Sequence, residues 1–236
     1  MVLVFLLLGL MAGVLTTVAG QGGGLVVLLA CSALVGPHEA LAITAPALLL
    51  GNLHRSVLLR VHIDRVVAAR MIAGAIPGAL VGGVLAGVTP AWTLRVLLVG
   101  MTAAAVAKAV GLVRFRVPRT ALVPAGVLVG GMTGTSGGAG VLFAPVLLSI
   151  GLQGKVFVAT SSAVALAAHV GRVAGYAGLG LFSRALVGPT IAVATAIFVG
   201  NALGSRLQAL LSERRARAIE YGTLVVCVVL SVTGLG

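Results

Sequence analysis

Acidic residues are nearly missing from this chain: Glu39, Asp64, Glu213 and Glu220 stand against 16 Lys and Arg in 236 residues. All four fall near the ends of apolar runs. No carboxylate therefore lies where a mid-membrane proton relay or sodium cage would need one. Charge of either sign is scarce, at 8%, where a soluble domain carries about 25%; a dissolved globular domain is excluded. Aromatics are few, and Trp92 is the one tryptophan, which leaves a thin interfacial belt. Cys31 and Cys227 are the only cysteines, far apart within apolar runs, which excludes a disulfide framework and a zinc site. No metal and no cofactor is expected.

What remains is hydrocarbon and glycine. Apolar runs cover roughly 3–19, 25–35, 40–53, 66–88, 92–112, 121–133, 141–152, 156–179, 185–203 and 218–235. Repeated runs of about 20 apolar residues mark membrane-spanning helices, so the expected fold class is an all-α polytopic membrane protein. The first run lacks the positive leader of a cleaved signal peptide and is expected to stay as a membrane segment. The net charge of +12 would suggest nucleic acid in a soluble protein. Here the basic residues flank apolar runs, so they report topology and headgroup contact, and the expected partners are membrane lipids and a small anion. A homo-oligomer is left open.

Two glycine clusters break the apolar pattern, Gly20-Gln21-Gly22-Gly23-Gly24 and Gly134-Thr135-Ser136-Gly137-Gly138-Ala139-Gly140. A shift of 117 positions (172 − 55) carries the first half onto the second. Gly9, Gly13, Gly20 and Gly23 fall on Gly126, Gly130, Gly137 and Gly140, and Arg55 falls on Arg172. The order of features repeats as well: glycine-spaced helix, break, short helix, polar turn, long span with one arginine. The expected organisation is a first transmembrane repeat over 1–112, a cytoplasmic linker at 113–118, and a second repeat over 119–236. Glycine-broken segments at matching places in two halves point to a transporter's central site.

The arginines order the topology. Arg55, Arg60, Arg65 and Arg70 mark one cytoplasmic connection, Arg114, Arg116 and Arg119 a second, and Arg206, Arg214, Arg215 and Arg217 a third. Two spans separate the first from the second. Between the second and third, the runs at 156–179 and 185–203 already supply two crossings. The broken unit 121–152 must then return to its own side as a re-entrant hairpin, which makes the halves inverted repeats. If it crossed fully, Arg206–Arg217 would lie outside.

Helix breaks leave backbone groups that lipid cannot satisfy, so they must face protein or a polar cavity. Half-helix N-termini there favour an anion. The candidate solute-binding residues are Gln21, Gly22, Gly23, Thr135, Ser136, Gly137 and Gly138 at the breaks, with Thr44 and its counterpart Ser161 on the following spans. Arg172 lies well inside the run 156–179 with no acidic neighbour, and its planar fork suits an oxyanion. Arg55, beside His54 and the basic cluster, reads as a headgroup contact. Gly9, Gly13, Gly126 and Gly130 read as helix packing.

The pattern Gly9-x-x-x-Gly13…Gly20-Gln21-Gly22-Gly23-Gly24 resembles the sulfite exporter TauE/SafE family. So does Gly126…Gly134-Thr135-Ser136-Gly137-Gly138-Ala139-Gly140…Pro145 with Ala159-Thr160-Ser161. Gln21 departs from that pattern, and Leu28 stands where the shift would put the counterpart of Pro145. The resemblance implies a cell-membrane permease, not an enzyme, that moves sulfite or an organosulfonate outward. A second reading stays open: Gly134-Thr135-Ser136-Gly137 with His169 is similar to the serine and histidine of a rhomboid-type intramembrane protease. Only 33 positions (169 − 136) separate that pair, and its first-half counterparts are Ala19 and Asn52.

Overall fold

The computed structural model describes residues 2–18, 22–109, 117–211 and 213–233. Among these the chain is helical throughout, without strands. The helices are α1 (Val2–Val18), α2 (Gly23–Val35), α3 (Pro37–Leu58), α4 (Arg65–Val88), α5 (Ala91–Ala109), α6 (Leu122–Ser136), α7 (Ala139–Ser149), α8 (Gly154–Gly178), α9 (Val187–Leu210) and α10 (Glu213–Thr233). Four stretches, Pro37–Leu58, Arg65–Val88, Gly154–Gly178 and Arg184–Leu210, are long and apolar enough to cross a membrane. Apolar side chains also cover the outside of the bundle, among them Val81, Trp92, Leu128, Ile191 and Phe198. Lipid tails solvate such a surface, whereas water would not. The protein is an all-α polytopic membrane protein. Most of the linker expected at 113–118 lies outside the described residues.

Helix contacts run across the two halves more than within them. α4 packs on α6 and α8, and α1 packs on α9. Glycines make these approaches close. Gly74, Gly78 and Gly82 of α4 meet Val123, Val127 and Gly131 of α6 backbone to backbone, leaving no room for a Cβ. Small residues every fourth position let membrane helices approach this closely and gain dispersion contacts where no hydrophobic force acts between them. Gly78→Val should therefore destabilise by about 3 kcal/mol or more, since backbone cannot yield. Gly188→Ala, with open space around it, should stabilise α9 by about 0.5–1 kcal/mol. Thermal unfolding in detergent checks both; equal effects would contradict the packing account.

The same contacts give directions. Positions 74, 78 and 82 meet 123, 127 and 131 in ascending order, so α4 and α6 run the same way. Gly171 and Gly175 meet Ile76 and Leu80 in order, so α8 also runs with α4. α6 and α8 being parallel, α7 must carry the chain back between them. Likewise Gly9 and Gly13 meet Val193 and Ile197, which makes α1 parallel to α9. α3 opposes α4: the two are joined through 59–64 at one end and meet through His38 and Thr89 at the other.

Several basic residues gather at one end of the bundle, while Arg184 lies at the other, at the start of α9. Arg70 Nη1 donates to the Arg119 carbonyl at 3.3 Å, joining the starts of α4 and α6. Leu59, Lys155, Ser205 and Gln208 line one cavity, which brings the α3–α4 connection, the start of α8 and the end of α9 together. Arg60, Arg65, Arg119 and Arg206 thus share an end. α3 also runs to Leu58, past the apolar run that stops at Leu53, because the polar residues His54, Arg55 and Ser56 turn into protein rather than ending the helix.

Candidate functional site

α6 ends where Gly137 and Gly138 take positive φ angles of 78° and 71°. With ψ at −155°, Gly137 lies in a region essentially closed to residues with a Cβ. Gly137 N–H closes the last turn on the Thr133 carbonyl at 2.8 Å. Gly138 caps α7, whose leading N–H groups have no partner within their own helix. Beside this break lies Arg172 of α8, with none of its surface exposed. A Cβ on Gly137 would sit 3.4 Å from Arg172 Nη1 and 3.5 Å from Nη2.

The guanidinium is held from three sides. Nε donates to Tyr176 Oη at 2.9 Å, and Nη2 donates to the Leu41 carbonyl at 3.1 Å and to Thr44 Oγ1 at 3.3 Å. Tyr176 Oη in turn donates to the Gly134 carbonyl at 2.8 Å, one of the last acceptors of α6. Thr44 passes its own proton to the Ala40 carbonyl at 2.7 Å. Among the described residues, the buried Arg172 Nη1 has no hydrogen-bond partner. Among the described residues no carboxylate pairs with this charge: Glu39 sits in the first turn of α3 and Asp64 caps α4. Removing Tyr176 Oη should leave the Gly134 carbonyl unpaired, so Tyr176→Phe should cost about 1–3 kcal/mol. Thermal unfolding that matches wild type would contradict that bond.

His169, a turn before Arg172, is buried, and among the described residues its Nδ1 has no hydrogen-bond partner. Ser136 Oγ donates to the Met132 carbonyl of its own helix at 2.8 Å and lies against Met101 Sδ. Among the described residues no hydrogen bond joins Ser136 to His169, so the geometry offers no nucleophile–base dyad. Thr135 likewise bonds back to α6, at Gly131 and Met132.

Other candidates are distributed more widely. Gly137 and Gly138 approach Leu28 and Leu25 of α2. Gly22 instead faces Thr223 of α10, and Gly23 packs so closely on Ala12 and Thr16 that a Cβ would overlap them. Gln21 lies outside the described residues. Ser161 is buried on α8 but, among the described residues, makes no hydrogen bond like that of Thr44 to the arginine. Gly9, Gly13, Gly126 and Gly130 serve helix packing, as expected.

Arg55 corrects its reading as a headgroup contact. It is 7% exposed, and it donates through Nη1 to the Thr16 carbonyl at 3.0 Å and through Nη2 to Asn52 Oδ1 at 2.6 Å. A cation at a helix C-terminus satisfies open carbonyls and the negative end of the dipole together, and this drew the side chain inward. The two arginines thus do related work. Arg55 meets the end of α1 directly, while Arg172 reaches the end of α6 through Tyr176 and has one nitrogen without a partner among the described residues.

Fold and site together define a polytopic helical membrane protein with a buried cation that has no carboxylate partner among the described residues, beside an interior helix break. The family described as "Sulfite exporter TauE/SafE" matches residues 5–232. The chain belongs to this family of membrane transporters. No curated protein and no solved structure gives a significant match.

Proposed function

We propose that this chain exports a small sulfur-containing oxyanion, sulfite or an organosulfonate, bound at Arg172 where the α6–α7 break meets α3 and α8. One observation carries this reading: Arg172 is fully buried, lacks a carboxylate partner among the described residues, and holds Nη1 unbonded beside Gly137. A buried cation costs several kcal/mol unless compensated, and a transported anion supplies that compensation. A guanidinium offers parallel N–H donors that match the oxygens of a sulfite or sulfonate group. Choice among such anions rests on the family.

The mechanism in this reading is alternating access between two inverted halves, 1–112 and 119–236, in a cell membrane. Its support is the helix directions: α6 and α8 run with α4, α1 runs with α9, and α3 opposes α4. Corresponding helices of the two halves then point oppositely. The basic end faces the cytoplasm by the positive-inside rule. A negative interior then drives each anionic charge outward with about 2.3 kcal/mol per 100 mV.

Purified protein in liposomes tests this, comparing fluxes of sulfite, sulfoacetate, sulfate and chloride at a set membrane potential. Sulfite or sulfoacetate flux should exceed chloride flux and rise with an interior-negative potential. Folded protein that moves none of the four would overturn the reading.

A further inference from the structure

The same junction occurs in both halves, and only one copy is closed. In the first half, His38, second residue of α3, bonds through Nε2 to the Thr89 carbonyl that caps α4, at 3.0 Å. The 117-residue shift carries His38 to Lys155, second residue of α8, and Thr89 to Arg206, near the end of α9. At that second junction, Lys155 makes no hydrogen bond among the described residues. A cavity of about 520 Å³ lies there instead, lined by Lys155 and Val158 of α8, Ser205 and Gln208 of α9, Leu59, and Val18. Val18 is the last residue of α1.

We propose that this cavity is the inner mouth of the anion path, so that the structure is an inward-facing state whose outer gate is the His38–Thr89 bond. This rests on the transport reading above. The chemistry of the mouth suits its cargo: an ammonium, an amide and a hydroxyl line it, at the end that also carries Arg60 and Arg206. Charge of one sign in a cleft raises the local concentration of the opposite ion. Inverted halves exchange conformations between the two states of a transporter. The outward-facing state should therefore part His38 from Thr89 and close the cavity at Lys155.

Thiol labelling with a membrane-impermeant maleimide tests the gate, in vesicles of both orientations. The native cysteines are buried and give a low background. Val158→Cys reports the mouth, and Leu41→Cys reports its counterpart (158 − 117), which is only 1% exposed. Val158→Cys should label from the face carrying Arg60, while Leu41→Cys should resist label from the other face. Adding His38→Ala should raise Leu41→Cys labelling roughly fivefold, the population shift expected for one ordinary hydrogen bond. His38→Gln keeps a donor and should leave it low. Equal labelling of the two cysteines, or no response to His38→Ala in protein that stays folded, overturns the gate. Flux in the same vesicles reads the transport claim separately. Asymmetric labelling without flux supports the gate and counts against transport; flux without asymmetry overturns the gate alone.

Discussion

Arg172→Met is expected to cut flux at subsaturating sulfite at least tenfold while leaving thermal stability unchanged or raised. The two halves of that result have separate causes. A hydrogen bond to a charged group is worth about 1.5–3 kcal/mol, so its loss weakens anion binding about 10- to 100-fold. In the empty protein, however, methionine removes a buried charge and its unpartnered Nη1 while filling similar space. No partner is stranded. Tyr176 Oη still donates to the Gly134 carbonyl, Thr44 Oγ1 still donates to the Ala40 carbonyl, and the Leu41 carbonyl lies within α3. Functional residues that cost stability behave in this way. A variant that loses flux and stability together would make Arg172 a structural residue. Arg172→Lys, a point charge without the planar fork, should retain partial flux.

Gly137 carries the second large expectation. Gly137→Ala should cost about 1–3 kcal/mol from its backbone angles alone, and its methyl would press on Leu28 and on the Arg172 guanidinium. Flux should fall at least tenfold, and Gly137→Leu, which fills the space beside Nη1, should abolish it. Ser136→Ala is the matched control. Its hydroxyl serves the Met132 carbonyl of its own helix, so most flux should survive. Anion uptake by the three variants at matched protein content decides the point. Loss with Ser136→Ala and tolerance of Gly137→Leu would reverse the assignment and favour hydrolytic chemistry.

Much of the fold was legible because membrane helices announce themselves by apolar length and glycine spacing. The break between α6 and α7 lies where a glycine cluster stops the helical pattern. The site was legible only in part. Arg172 and Gly137 stood out because an isolated charge and a run of glycines are costly in lipid. Tyr176 did not, since the shift sets it on Leu59 and the duplication gives no signal. Leu25, Leu28 and Met101 are ordinary apolar residues whose nearness to the break comes from tertiary packing alone. Arg55 misled because its neighbours are basic and its run of apolar residues ends early. What holds it inside is the Thr16 carbonyl, a backbone group no residue name reveals. Gly23 illustrates the same limit: its contact with Ala12 and Thr16 demands glycine for packing, and a composition cannot separate that need from solute lining.

The central claim is that Arg172 beside the α6–α7 break binds the transported oxyanion. It is tested most directly by ligand-induced stabilisation of purified wild-type and Arg172→Met protein in detergent, titrated with sulfite at constant ionic strength. A ligand that binds only the folded state stabilises it by mass action, by about 2.7 kcal/mol at one hundred times its dissociation constant. Wild type should gain stability as sulfite rises, and Arg172→Met should gain none over the same range. Equal stabilisation of the two proteins would contradict the account.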